Sequence, residues 1–336
     1  MRACRRQSTG AGRQTQRAGR NSDWTKNAVA GTVCRLMPAG AEASKATRAS
    51  SLLPWGLGLL VLIGGSYAIF SGGFGHRSVA ELADVVPIGH DIEVVRIELQ
   101  NGTVGVDVPE PGRREPEVAY AGGVRRAASD AAELAQLEQI PIRLVPVADP
   151  ARPRTLVLRG PELPPGSGGL LAFELGIRVP SDLTLEIAVA GSGHITVANR
   201  RGRTLIDTGR GDLRFEHCRG PVRAKTGRGM VIAFDHVGDL DLHTVVGDIQ
   251  AFVAEPAALL RLVSGKGTVQ CGVPASCEFD LDARAEIGRI GADFGLVGET
   301  VGTYGAALVG KRGSGRTKVV LRTGSGHLAF KEHRFP

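Results

Sequence analysis

The sequence predicts an all-β chain that folds as a single-stranded parallel β-solenoid, or β-helix, with coils of about 18 residues. The first observation is a glycine that stands two residues before an apolar position and recurs every 18 residues, at Gly193, Gly211, Gly229 and Gly247. The second is another glycine with the same period, which opens the second half of each unit at Gly202, Gly220 and Gly238. The third is the period-two alternation of apolar residues between these glycines, which is typical of strands with one buried face. A repeat of this length cannot bury its apolar face alone, so neighbouring repeats must stack.

The register of the repeat separates inward from outward side chains. The predicted core contains one inward row formed by Ile195, Leu213, Val231 and Ile249. Two outward rows are candidates for an interaction surface: the charged row Asp207, Lys225 and His243, and the apolar row Ile232, Phe234 and Phe252. A row of mixed charge is also typical of a solvated face, in which opposite charges on neighbouring strands stabilise each other modestly.

The N-terminal part of the chain differs in composition from the rest. Residues 1–48 contain ten Lys or Arg and two Asp or Glu without apolar periodicity, which predicts a disordered basic cytoplasmic tail. The remaining residues are nearly neutral, with 31 basic and 32 acidic side chains. This balance argues against nucleic acid as a partner of the large domain. Met37 is an alternative start.

Residues 49–72 are predicted to form one transmembrane helix. The apolar stretch Leu52–Phe70 carries no charge and is long enough to cross a bilayer core of about 30 Å. Because the basic tail precedes this span, the positive-inside rule predicts a single-pass protein of the cell membrane with its large domain outside the cytoplasm. A cleaved signal peptide is the alternative, since Ser66-Tyr67-Ala68 fits a cleavage site.

Residues 73–89 are predicted to be a linker, and residues 90–336 form the predicted solenoid domain. Alternation predicts strands near 95–99, 104–108, 142–146 and 156–158, with a loop over 109–123. Asp130 and Glu133 match a capping box, which predicts one short helix near 130–139. We expect this helix to lie across the apolar row; the alternative is that the row is open and docks a partner.

The chain resembles the bacterial "putative adhesin" domains, a family of adhesin-like β-helices of unknown function. The resemblance is carried by the stretch 179–185, by the Thr-Gly-x-Gly turns at Thr208, Thr226 and Thr323, and by the stretch 321–328. It covers roughly residues 90–333. The resemblance implies a membrane-tethered protein with a role in surface adhesion or envelope-stress sensing.

The sequence predicts no cofactor and no metal site. The histidines lack the spacing to Cys or carboxylate residues that metal sites require, and the Gly-x-Gly-Asp turns lack aspartates on successive units, as calcium-binding rolls need. Cys271 and Cys277 could close a disulfide around a proline-containing turn. The alternative is two free, buried thiols.

No pattern of paired carboxylates or of an activated nucleophile stands out. We therefore predict a non-catalytic interaction or scaffolding domain at the cell envelope, whose partner is an envelope protein or a polysaccharide. An exported carbohydrate-active enzyme is the alternative, since clustered Asp, Arg and Lys on the outer face of a β-helix can cleave acidic polysaccharides. An accessory protein of envelope-stress signalling is a third reading, which rests on the family resemblance alone.

Overall fold

The computed structural model describes residues 75–108, 117–163, 169–296 and 299–334. These residues form one helix, α1, over Ala131–Glu138, and 21 strands that join into one sheet. The first strands are β1 His76–Pro87, β2 Val94–Leu99, β3 Gly102–Asp107, β4 Glu117–Ala128, β5 Val145–Ala148, β6 Thr155–Arg159 and β7 Leu170–Arg178. The next are β8 Thr184–Ser192, β9 Ile195–Ala198, β10 Thr204–Arg210, β11 Leu213–Glu216, β12 Val222–Arg228, β13 Val231–Val246 and β14 Ile249–Lys266. The last are β15 Val269–Val273, β16 Phe279–Ile287, β17 Ile290–Ala292, β18 Glu299–Val301, β19 Gly305–Arg312, β20 Thr317–Ser325 and β21 Leu328–Glu332.

Most strands belong to one of two parallel ladders. Ladder A has the order β6, β2, β8, β10, β12, β13, β14, β20, β16. Ladder B has the order β7, β3, β9, β11, β13, β14, β15, β21, β17. The long strands β13 and β14 contribute their first halves to ladder B and their second halves to ladder A. Within the repeat the register advances by 18 residues, so Thr204 pairs with Val222 and Val222 pairs with Leu240.

The sheet has mixed orientation, and the prediction of a parallel β-solenoid, or β-helix, is therefore wrong. Antiparallel pairs join β1, β4 and β7, join β5 to β6, and join β16, β19 and β18. These strands extend the ends of the two ladders, so that one nearly closed sheet surrounds one core. For the pairs β5–β6 and β18–β19, which are consecutive along the chain, the physical reason is the short connection. Strands joined by a tight turn, as β18 and β19 are, pair antiparallel, because a parallel pair needs a longer crossover.

The segments outside the repeat also differ from the sequence prediction. The predicted strands near 95–99 and 104–108 exist as β2 and β3, but one belongs to ladder A and the other to ladder B. Residues 76–87, within the predicted linker, form β1, and the predicted loop over 109–123 contains the start of β4.

The chain does not pass along the ladders in sequence order. The strands β2 and β3 lie between the β6–β7 segment and the β8–β9 segment. In the same way, β20 and β21 lie between the β14–β15 segment and the β16–β17 segment. The β2–β3 unit and the β20–β21 unit are therefore each inserted between two units that follow one another along the chain.

The inward side chains of the repeat form the core. Leu213, Val231 and Ile249 have no exposed surface. The buried hydroxyl of Thr226 donates to the carbonyl oxygen of Gly211 at 3.1 Å, and the same contact recurs in the next repeat. Gly211 itself has φ of +137°, and a Cβ there would lie 1.8 Å from the Gly193 carbonyl oxygen. The periodic glycines are therefore required where neighbouring turns approach most closely.

The helix predicted near 130–139 is confirmed. The side chain of Asp130 caps it by accepting from the backbone N–H of Glu133 at 2.8 Å. The helix packs on β1 and β4 with Leu137 buried. Its predicted position across the apolar row of Ile232, Phe234 and Phe252 is wrong, because that row lies on strands of ladder B that the helix does not contact.

The membrane predictions concern residues 1–74. The basic tail predicted over 1–48 and the transmembrane helix predicted over 49–72 lie outside the described residues. Among the residues that are described, no helix combines the length and the apolar character that a bilayer crossing requires. The prediction of a single-pass membrane protein with an extracytoplasmic domain is therefore corrected, because the described part of the chain provides no spanning helix to support it.

Candidate functional site

The charged row predicted from the repeat lies on the outer surface of ladder A. Asp207 on β10 pairs in register with Lys225 on β12, and Lys225 pairs with His243 on β13. Asp207 and Lys225 are exposed, and His243 is half-buried. Their sequence neighbours Ala224 and Leu242 are fully buried in the core. Because side chains alternate along a strand, this burial fixes the outward direction of the charged row.

A second outward row runs beside the first and was not singled out from the sequence. Arg223 stands two residues before Lys225 and pairs in register with Asp241, which in turn pairs with Arg261. The Nε atom of Arg223 lies 3.5 Å from the Oδ2 atom of Asp241. One carboxylate therefore stands between two arginine-bearing strands.

The two rows border an open groove with a volume of about 500 Å³. The side chains around it come from β10, β12, β13 and β14. The next outward position after Lys225 is Gly227, which has no side chain and leaves space beside the lysine. On the neighbouring strand the same position holds Val245, which is 52% exposed. Val245 and Val263 give the groove an apolar surface beside its charges.

Two cations in this groove have no carboxylate partner within the described chain. Neither Lys225 nor Arg261 forms an ion pair there, whereas several other outward charges of ladder A do. One example is Arg96, whose Nε atom lies 2.7 Å from Glu98 Oε1. Lys225 and Arg261 could therefore bind an anion without breaking an existing contact, and charge-assisted hydrogen bonds of this kind are among the strongest that side chains make.

The groove also contains two carboxylates, Asp207 and Asp241. They lie on strands two apart and one outward position apart, so their Cα atoms are about 12 Å from each other by strand geometry. Asp241 is held by Arg223. Catalytic carboxylate pairs in glycoside hydrolases have their carboxyl groups roughly 5–10 Å apart. The spacing of these two residues therefore exceeds that range unless both side chains turn towards each other.

The apolar row lies on the outer surface of ladder B and is only partly covered. Ile232 and Phe252 are half-buried, and Phe234 is 39% exposed. The rings of Phe234 and Phe252 have centroids 6.3 Å apart, and the ring of His333 lies 4.8 Å from that of Phe252. The residue after β21, rather than the helix, thus contacts one end of the row.

The described cysteines are free thiols. Cys218, Cys271 and Cys277 are all buried and none forms a disulfide, so the structure has the second of the two alternatives for Cys271 and Cys277. Burial raises the pKa of Cys271 to about 12, and the nearby Cys277 adds to the effect. Thiols in such surroundings have little thiolate at neutral pH and react slowly.

A buried polar column was missed by the sequence reasoning. Arg200, Cys218 and His236 occupy equivalent turns of successive repeats and have at most 1% of their surface exposed. Burial lowers the pKa of Arg200 to about 10, and no carboxylate forms an ion pair with it in the described chain. The signal that could have identified the column is the 18-residue spacing of three polar residues at positions that otherwise turn inward.

Backbone carbonyl groups satisfy much of this column. The Arg200 Nη1 atom donates to the carbonyl oxygens of Val179 at 3.3 Å and Pro180 at 3.2 Å. The Nε2 atom of His236 lies 3.1 Å from the Asp239 carbonyl oxygen, and its Nδ1 atom has no partner. Burial lowers the pKa of His236. The column therefore links successive turns through hydrogen bonds, and burial disfavours the charged form of His236 within it.

The aspartates that follow the periodic glycines Gly211 and Gly247 have a structural role. Asp212 Oδ1 accepts from the backbone N–H of Met230 at 2.7 Å, and Asp248 Oδ1 accepts from that of Thr268 at 2.7 Å. Each carboxylate thus bonds the equivalent residue of the next repeat. Within the described ranges, no cluster of three or more His, Cys, Asp or Glu side chains could hold a metal ion.

Comparison with known proteins gives only distant likenesses. No protein-family model and no curated protein matches the chain. Among solved structures, a putative cell adhesion protein from Clostridium sporogenes ATCC 15579 is similar at 13% identity and a TM-score of 0.34, covering 76% of this chain and 100% of its own. A putative lipid binding protein from Parabacteroides distasonis ATCC 8503 is similar at 10% identity and a TM-score of 0.29, covering 78% and 98%. The first name agrees with the adhesin-like resemblance of the sequence, but likenesses of this size carry no argument about function.

Proposed function

We propose that this chain is a non-catalytic binding protein whose charged groove holds an acidic polysaccharide. The observation that carries the proposal is the presence of two unpaired cations, Lys225 and Arg261, on the same open groove of about 500 Å³. An exposed cation gains a strong hydrogen-bonding partner when it meets a carboxylate or sulfate. The groove therefore selects for ligands that carry anionic groups.

The shape of the groove supports an extended ligand that crosses the strands. Lys225 and Arg261 stand two strands apart and one outward position apart, so their Cα atoms are about 12 Å from each other by strand geometry. A single small anion cannot contact both side chains unless both bend towards it. A chain of sugar rings with spaced acidic groups can contact both of them in their extended positions.

The apolar surface of the groove supports a sugar rather than a simple polyanion. Val245 and Val263 line the floor beside the cations, and Gly227 leaves space for a flat group. A pyranose ring offers an apolar face and, in an acidic polysaccharide, an anionic substituent at its edge. The carboxylate of Asp207 would repel a densely charged polyanion, so ligands with widely spaced charges are favoured.

The test is binding of polygalacturonic acid to the full chain, measured by isothermal titration calorimetry at low and moderate salt. Neutral dextran serves as the uncharged ligand. We expect binding of the acidic polymer only, and a loss of affinity of up to about thirtyfold in the double variant Lys225→Gln/Arg261→Gln, since each exposed charged contact contributes about 0.2–1 kcal/mol. Lys331→Gln, which removes the same charge from an exposed position on β21, is the matched control and should bind normally.

The presence of two carboxylates beside the groove leaves one alternative to test, a carbohydrate-active enzyme. Release of new reducing ends from the polymer, lost in Asp207→Asn, would show that alternative instead. Equal binding by the double variant and the Lys331→Gln control would contradict the proposed site.

A further inference from the structure

The sheet has four edge strands within the described chain, and three of them are blunted. The strand β5 has four residues and contains Pro146, and β17 and β18 have three residues each. Short edges and edge prolines are common ways in which proteins prevent pairing with another chain. The fourth edge strand, β1, has twelve residues and its single proline stands at the last position, Pro87.

The strand β1 therefore offers the longest edge of the described sheet. It pairs with β4 along one side, and no described strand pairs with its other side. Two β-branched side chains point outward from it, Val79 with 70% and Val85 with 49% of their surface exposed. The strand contains no lysine, and its charged residues are Arg77, Glu81 and Asp84. An edge of this kind is a template for another strand, because its outer backbone groups lack partners in the sheet.

We propose that β1 pairs antiparallel with β1 of a second copy of this chain, around a two-fold axis at Leu82. In this register Val79 lies opposite Val85 of the second copy, and by symmetry the pair occurs twice. Glu81 lies opposite Ala83, and Asp84 lies opposite Ala80, so no like charges face each other. If the two-fold axis were at Glu81 instead, the Glu81 side chains of the two copies would lie opposite each other. Like charges in directly opposite positions are destabilising, so this register is disfavoured.

The pairing is self-complementary, as a two-fold dimer requires. It joins the β1–β4–β7 end of one copy to the same end of the other and buries the two exposed valines of each copy. A contact made by a single strand pair is smaller than most stable interfaces. We therefore infer a reversible dimer with a Kd on the order of micromolar.

The first test is the mass of the full chain by sedimentation velocity over a hundredfold range of concentration. We expect a monomer–dimer equilibrium whose Kd rises at least tenfold in Val79→Lys, because the variant places a charge in the paired face. Val309→Lys is the matched control: Val309 is 68% exposed on β19 and stands outside the proposed interface. A monomer at every concentration, or the same Kd for both variants, would overturn the proposal.

The second test traps the register. Val79→Cys and Val85→Cys in one chain lie roughly 20 Å apart along the strand and cannot bond to each other. Opposite residues of an antiparallel pair have Cα atoms about 4.5–5.5 Å apart, which permits a disulfide between copies. Mild oxidation should give covalent dimer in the double variant well above the level in each single variant and in the unsubstituted chain. Equal amounts in all four proteins would show that this register does not form.

Discussion

Replacing Phe215 with alanine is expected to destabilise the fold by about 4 kcal/mol. Phe215 is fully buried, and its row in ladder B continues through Val197 on one side and Ala233 on the other. Removing a buried phenyl group costs 3–5 kcal/mol in well-packed cores, from lost transfer free energy and from the cavity. The upper part of that range applies here because hydrogen-bonded strands hold both neighbours at a fixed spacing of ~4.8 Å, so the cavity cannot collapse.

Phe234→Ala is the matched control, since the same side chain is removed from the next repeat but on the outer surface. Phe234 is 39% exposed, and its ring contacts the ring of Phe252. A single aromatic pair contributes about 0.5–1.5 kcal/mol. We therefore expect a loss of less than about 2 kcal/mol, including the partial burial of the ring.

The assay is equilibrium unfolding in urea. Circular dichroism and intrinsic fluorescence monitor the same titration, and coincident curves would show a single transition. The midpoint of unfolding should fall clearly more in Phe215→Ala than in Phe234→Ala, with similar m-values for both. Equal losses for the two variants would refute the assigned inward and outward directions. A loss below about 2 kcal/mol for Phe215→Ala would show that the core relaxes around the cavity.

Three further predictions concern the turns and the buried polar groups. Because burial lowers the pKa of His236, the fold favours the neutral ring; the resulting stability is present above about pH 6.5 and is lost as pH falls below it. Urea unfolding at pH 7 and 5 should show a smaller loss in His236→Gln, and an unchanged loss would contradict this assignment. Gly211→Ala places a Cβ 1.8 Å from the Gly193 carbonyl oxygen and should lower Tm by several degrees, whereas an unchanged Tm in a thermal melt would show that the turn can adjust. Cys271 and Cys277 should resist an aromatic disulfide reagent in the native protein and react in urea, and rapid native labelling of either thiol would show that its burial is incomplete.

The sequence permitted good prediction where the chain repeats itself. The 18-residue spacing predicted that Asp207, Lys225 and His243 stand side by side, and the pairing confirms it. It also predicted the inward direction of Leu213 and the outward direction of Phe234. A periodic pattern contains both the register and the side-chain direction, because each repeat must present the same face to its neighbours.

The sequence could not predict where non-repeating strands pair. The residues of β1 and β4 have no repeat that fixes a partner, and their antiparallel pairing depends on which edge of the sheet is free. The helix α1 was predicted from its cap, but its packing position was not, because a short amphipathic helix can cover any apolar surface within reach. Arg261 was missed for a related reason. The repeat that contains β14 is two residues longer than the others, so Arg261 stands 20 residues after Asp241 and still pairs with it. An 18-residue spacing does not predict this pairing.

The insertion of β20 and β21 between earlier strands has a consequence for the order of events during synthesis. While the chain is emerging, β14 and β15 are complete before β16 and β17, and the last pair of strands does not yet exist. In the finished sheet Leu260 pairs with Val319, and Val319 pairs with Leu281. Since Leu260 and Leu281 have similar inward side chains, β14 and β16 could meet directly and form a premature ladder. Such a ladder would have to open again before the last strands could enter, which makes it a kinetic trap of the kind that slows large β-sheet proteins.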